Sequence, residues 1–495
     1  MALTRRQFLR RSGIAAAGGF FGPSLFGNPF LQRALAQTIG DRYFITLFLN
    51  GGNDGLGTIM PYDNGGGSLR THYELARRDD GGGLRIDAGP GSGDTHGLDQ
   101  AMPLTPFLDP NTGAQLGFHP GLQAFRDMYD DGHLVVLQGC GYPEPNLSHD
   151  VATNIWETGD PLHSLPSNKG WIGRHLEDEY TPTQIPGVTI GNRVAGELEQ
   201  AGTSVLAISR LSRFGFPFDS EYTSDNAAKS AAFAALYADA ANSGIPISEF
   251  IGNSGLSTAE AAASYPQLHG AYGTERPVFN ALYDDQSIGG GTSMTRDLRE
   301  VAKIIYGVAK GVPNINSRFF QVNNGGYDTH SDQGGGQTNG RHYSLHREVA
   351  SAVKIFFDDL ADMAQGQSDG RQNLPEKVCV LVWSEFSRRV IQNDNGTDHG
   401  TQGPMFLIGH GVNGGVVGNH PDIDPVIIDA NQGNTVYSQS PGDPFRSTDF
   451  RDVYGTVLKH WLSVPPATVQ AMLPLDSPAD ASKYWKVANF DLPLF

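Results

Sequence analysis

Six acidic and imidazole side chains sit in short polar clusters, each beside an apolar run. Asp54 lies in NGGNDG, Asp328 and His330 in GGYDTH, Glu385 in VWSEF, and Asp398 with His399 in GTDHG. Carboxylates and imidazoles are the donors that hard and borderline divalent cations take. A converged set of them describes a site for one or two ions of Zn, Mg, Ca or Mn. Without a cation, carboxylates gathered in one place repel and raise each other's pKa. Ser148, in PNLSHD, is the candidate nucleophile, because it opens a helix whose dipole and free N–H groups stabilise an anion. Arg174 and Arg388, with Arg389, are candidates for holding the oxygens of an anionic ester. Each also has a plain structural role open to it. Asp54 is a good turn former, Glu385 could pair with Arg388 or Arg389, and Ser148 could serve only as an N-cap. His149, His342 and His346 read as ordinary polar or helix-face residues.

These clusters need a scaffold that brings them together. Apolar runs of strand length are Tyr43–Leu49, His133–Gln138, Val205–Ile208, Arg318–Val322, Val378–Trp383 and Met405–Ile408. Helical patterns lie between them, over Pro120–Asp130, from Ser148, and over Ser224–Asn242, Thr295–Lys310, Tyr343–Ala364 and Asp449–Leu462. The alternation predicts an α/β fold: a mainly parallel sheet with helices on both faces, its strands near-continuously apolar because both faces are covered. Residues 209–300 read as an inserted, mostly helical cap. In such a sheet ligands bind beyond the carboxyl ends of the strands, where Asp54, Asp328 and Glu385 are expected.

Composition narrows the classes. The 495 residues carry 35 basic and 53 acidic side chains, a formal charge of −18 without a basic stripe. That argues against nucleic acid and anionic membrane surfaces as partners. Two cysteines, Cys140 and Cys379, exclude a disulfide scaffold; both fall in apolar runs and read as buried and unpaired. The opening MALTRRQFLRRSG, a Gly/Ala-rich stretch and Ala34-Leu35-Ala36 have the form of a twin-arginine export signal cleaved after residue 36. The expected localisation is periplasmic or otherwise exported, with the twin-arginine machinery as partner and residues 37–495 as the mature domain. No later segment approaches the ~20 apolar residues of a membrane span. There is no GxSxG elbow, phosphate loop or HExxH.

Several longer stretches are similar to the exported proteins of domain-of-unknown-function family 1501. They include LNGGNDGLGTIMPYD, VLQGCGYPEPNLSHDVATNIWETG, GGYDTHSDQ, VWSEFSRRV, GTDHGTQGPMFLIG and TDFRDVYGTVLKHWL. That family resembles the alkaline-phosphatase-like superfamily of phosphatases and sulfatases. The resemblance implies Asp54 as a ligand of a second metal, Ser148 as nucleophile and Asp328 as a ligand of the first. His330 stands two residues past Asp328 rather than four. Glu385-Phe386 replaces an Asp-His pair, and His399 precedes the last core strand. Asp398-His399 could alternatively be that pair. Two functions follow as expectations. One is a metal-dependent hydrolase of phosphate or sulfate esters, small or polymeric. The other is a non-catalytic exported binding protein that keeps the fold, its metal structural or absent.

Overall fold

The computed structural model describes residues 41–77, 83–89, 99–143, 145–165, 168–200, 202–215, 223–424, 443, 446–473 and 490–495. The export signal expected at residues 1–36 lies outside them.

The chain opens with β1 (Tyr43–Asn50), then β2 (Ile59–Pro61), α1 (Leu69–Ala76), β3 (Met102–Leu108) and β4 (Gln115–Phe118). Next come α2 (Gln123–Asp130), β5 (Leu134–Gly141), α3 (His149–Thr158), α4 (Trp171–Glu179), β6 (Gly187–Thr189) and β7 (Val205–Ala207). Three helices follow, α5 (Asn226–Ala241), α6 (Pro246–Glu275) and α7 (Pro277–Leu282), in the segment expected to be a helical cap. Then come α8 (Ser293–Ala309), β8 (Phe319–Gly325), α9 (Arg341–Ala364), β9 (Val378–Trp383), the short pair β10 (Ser387–Arg388) and β11 (His399–Gly400), and β12 (Gly403–Ile408). The chain closes with β13 (Gly415–Val417), β14 (Thr448–Asp449), α10 (Phe450–Thr456) continued by a π-helical turn, and α11 (Pro466–Met472). Among the described residues no helix is long and apolar enough to cross a membrane.

The main sheet has the order β13-β5-β12-β9-β1-β8-β6-β7, with β14 also on β5. Strands β9, β1, β8, β6 and β7 run parallel. The fold is thus α/β with a mainly parallel sheet, as the alternation predicts, but mixed: β12 runs antiparallel to both β5 and β9. A small antiparallel sheet, β2-β4-β3, adds to it: β2 and β4 are too short to show a period, and Pro103 and Pro106 interrupt that of β3.

Burial explains why the strands are apolar throughout. Along β1, Ile45, Leu47 and Leu49 join the core on one face, while Phe44 and Phe48 join the core on the other. The first core is packed by α2, α8 and α9, the second by α3, α4, α10 and α11. Each such side chain contributes about 1.5–3 kcal/mol by leaving water. A polar residue at Leu47 or Phe48 would therefore be costly. Cys140 on β5 and Cys379 on β9 are free and buried, with β12 between their strands.

Strand direction decides what meets at one edge. The carboxyl ends of β1, β5, β8 and β9 lie together. Because β12 is reversed, the loop leading into it arrives at that same edge, bringing residues 398–402 beside the loops that leave β5, β8 and β9.

Candidate metal centre

Three imidazoles and a carboxylate converge at this edge. His149 is the first residue of α3, Asp328 and His330 follow β8, and His399 stands on β11 just before β12. One ligand atom each from His149, Asp328 and His399 lie within 4.8 Å of one another. His149 Nε2 is 3.6 Å from Asp328 Oδ2, and His399 Nε2 is 3.4 Å from Asp328 Oδ1. His330 Nε2 is 3.2 Å from Asp328 Oδ1 and 3.0 Å from His399 Nε2. With metal–nitrogen bonds of about 2.0–2.1 Å, the edge of a tetrahedron of zinc ligands is about 3.3 Å. The separations of His149 and His399 from Asp328 are near that value, and His330 lies beside the group of three, close to Asp328 and His399.

The far sides of the rings face oxygen, hydrogen-bonded in His149 and His399 and at a longer distance in His330. His149 Nδ1 lies 2.7 Å from Glu385 Oε1, His399 Nδ1 lies 2.7 Å from the Leu147 carbonyl, and His330 Nδ1 faces Asp398 Oδ1 at 3.4 Å. An oxygen acceptor behind Nδ1 places the proton there and leaves the Nε2 lone pair facing inward, as in metal-binding histidines. His149 Nε2 is buried and has no hydrogen-bond partner among the described residues. Two Nε2 lone pairs at 3.0 Å repel unless a proton or a cation lies between them. The donors therefore fit a divalent ion.

Electrostatics agree. Burial alone would raise the Asp328 pKa, but the Arg388 guanidinium, donating at 2.8 Å, holds it below the usual carboxylate value. The hydrogen bond to Glu385 raises the His149 pKa, whereas burial lowers that of His399. Asp328 and His330 are about half exposed, so the centre opens to solvent.

Several expected roles change. Asp54, expected as a metal ligand, lies apart from this cluster. Its carboxylate is wholly buried in a bidentate pair with Arg77, at 2.8 and 2.9 Å, and accepts from Gln333 Nε2 at 2.6 Å. Burial would raise its pKa, but Arg77 holds it low. A guanidinium thus fills the place expected for a second metal. Glu385 stands behind His149: with no exposed side-chain area, its oxygens are engaged by Gly51 N, His149 Nδ1 and Ser384 Oγ. Asp398 stands behind His330 and accepts from Asn393. Arg388 is buried and donates to the Gly51, Gly52, Tyr327 and Thr397 carbonyls as well as to Asp328, so it cannot reach a substrate. Arg174 is spent on the Thr158 and Lys169 carbonyls.

Ser148 stands where it was expected, at the N-cap of α3, exposed and next to His149. Its hydroxyl makes no capping bond, so the purely capping role is not realised through the side chain. The residue that sequence reasoning passed over is His149. Its signal was present: an imidazole beside the candidate nucleophile, in a ligand set short of one histidine. His342 and His346 are not ligands. With His119 they form a buried cluster, ring centroids 4.1–5.1 Å apart, bonded to Asn53, Thr58 and the Gly335 carbonyl.

Residues 308–432 match the family model described as protein of unknown function (DUF1501). The matched span carries Asp328, His330, Glu385, Asp398 and His399. It supports the resemblance to that family, and it stops short of Ser148 and His149. No curated protein matches the chain.

Proposed function

We propose that this is an exported, metal-dependent hydrolase of phosphate or sulfate esters, related in fold to the alkaline-phosphatase-like superfamily. The observation that carries the reading is the convergence of three imidazole Nε2 atoms on Asp328, each Nδ1 facing an oxygen. His149, Asp328 and His399, with His330, would hold one divalent ion. Such an ion polarises an ester oxygen and lowers the pKa of a bound hydroxyl. The Ser148 hydroxyl stands at the open end of α3, one residue from a ligand. The N–H groups of the first turn of α3 have no side-chain cap and can receive the anionic oxygens of the ester. Glu385, Leu147 and Asp398 orient the three rings.

The test is metal content together with an ester screen. Purified mature protein should hold about one equivalent of Zn, Mn, Mg or Ca, lost in His149→Ala and His399→Ala. Ser148→Ala should keep the metal and lose turnover by orders of magnitude. Absence of metal, with melting unchanged on adding any of the four ions, overturns the reading. Export is tested separately: Arg5→Lys with Arg6→Lys should trap the precursor, since lysine lacks the planar fork of arginine.

One observation favours a second reading, a non-catalytic binding protein with a structural ion. Neither Arg174 nor Arg388 is free to meet an anion, while the exposed carboxylate of Asp398 stands beside His330. Metal binding without turnover on phosphate mono- and diesters or sulfate esters would select it.

A further inference from the structure

Helix α3 carries a polar stripe away from the metal centre. Asp150, Thr153, Asn154 and Glu157 stand at i, i+3, i+4 and i+7, on one face beside His149. At its far end the stripe opens into a cavity of about 330 Å³, lined among others by Asn154, Glu157, Asn168, Arg193 and Glu199. That volume lies at the small end of the roughly 300–1,000 Å³ range of small-ligand sites. Eight residues of helix separate His149 from Glu157, a rise of about 12 Å.

The walls are set before any ligand arrives. Glu157 Oε1 accepts from the Gly196 N–H at 3.0 Å, and the carboxylate lies so close over Gly196 that a Cβ there would collide with it. Asn154, Asn168 and Arg193 make no side-chain hydrogen bond among the described residues, so amide and guanidinium donors line the cavity unspent. Burial pushes the Glu157 pKa up to about 7, which lets its carboxyl both donate and accept near neutrality. Arg193 and Glu199 cancel in charge, leaving this wall nearly neutral on a chain of −18. Val194 adds a small apolar patch. Mixed donors and acceptors without net charge, beside an apolar surface, suit a neutral polyhydroxylated ligand.

We propose that this cavity is a saccharide-binding subsite, which holds the sugar portion of an extended substrate while its ester lies about 12 Å away at the metal centre. The second half rests on the function proposed above; saccharide binding at the cavity does not.

The experiment is calorimetric titration of the purified mature protein with chitopentaose, cellopentaose and maltopentaose. At least one should bind with a Kd of about 1 mM or tighter. Asn154→Ala with Arg193→Ala should weaken it at least about tenfold with melting unchanged. Should that pair fail to fold, Asn168→Ala with Arg193→Ala carries the same expectation. His399→Ala, made to empty the metal centre, should bind the saccharide as the wild type does. Failure of all three sugars to bind, undiminished binding by the cavity variants, or loss of binding in His399→Ala each overturns the subsite. Inorganic phosphate binding at the cavity while no sugar binds also overturns it. Wild-type protein that binds sugar but holds no metal as purified, and takes up none when it is added, would instead sink the hydrolase reading and leave the cavity assignment standing.

Discussion

If His149 binds a metal as proposed, Glu385→Gln separates the group behind the imidazole from the imidazole itself. Glu385 Oε1 accepts from Gly51 N at 2.9 Å and lies 2.7 Å from His149 Nδ1. Glutamine keeps the shape and one carbonyl acceptor at that position but removes the negative charge behind the imidazole. The His149 ring would lose basicity, since the bond to Glu385 is the main cause of its raised pKa. Loss of such an outer partner typically costs 10–100-fold in metal affinity, or about 1.4–2.7 kcal/mol. Alanine is a different perturbation. It strands the Gly51 N–H and the His149 Nδ1–H in a buried place, at about 1–3 kcal/mol each of folding stability. The assay is competition for zinc against a chromophoric chelator, alongside thermal melting of the apo protein. The expected pattern is weaker zinc binding with near-normal melting for glutamine, and lowered melting for alanine. Zinc affinity unchanged within about twofold in Glu385→Gln would refute the argument that His149 is a ligand oriented from behind.

Three more outcomes follow from buried charge. Arg77→Met should destabilise the protein by about 3–5 kcal/mol by leaving the Asp54 carboxylate buried and unpaired, and Asp54→Asn in the same chain should recover part of that loss; urea unfolding measures both. Burial lowers the pKa of His119 and His346 far below 6.5 and that of His342 to about 4, so unfolding releases imidazoles that bind protons more readily than the folded ones. Their stability contribution is complete above about pH 6.5 and declines as pH falls toward 4, by up to about 1.4 kcal/mol per pH unit for each ring; His346→Gln should flatten that acid limb. Glu197 has the opposite sign: burial raises its pKa to about 8, and its Oε2 has no partner among the described residues, so its contribution is lost as pH rises from the usual carboxylate value through 8. Glu197→Gln should match the wild type near pH 5 and exceed it in melting temperature at pH 9.

The sheet was legible because its strands are buried on both faces. Runs such as YFITLFL and VCVLVW admit few other readings once flanked by Gly-rich turns. His399 could be placed because PMFLIG follows it after four residues, Gly400 to Gly403. The direction of that last strand could not, since an apolar run reads the same either way. The partners of the acids were hidden for a related reason. Arg77, which claims Asp54, sits just past the end of α1, and nothing local marks it as buried. Glu385 and His149 meet across 236 positions, and only the convergence of β5 and β9 at one edge joins them. Carboxylates at strand ends could be recognised as a group, but their division into ligand and supporting residue depends on which hydrogen bonds they already hold.

The buried Arg388 guanidinium ties the carbonyls of Gly51, Gly52, Tyr327 and Thr397 into one knot, joining the loop after β1, the loop after β8 and the loop that leads to His399. These bonds tie the three loops together in the folded chain, so an ion bound as proposed would meet a frame already braced. Apo and loaded forms should superpose closely, and binding should carry a small heat-capacity change, because little surface remains to be buried. On the proposed reading, cations content with a few nitrogen and oxygen donors at short distance would be favoured. Larger ions that need six to eight oxygens would have to draw the remainder from water on the open side.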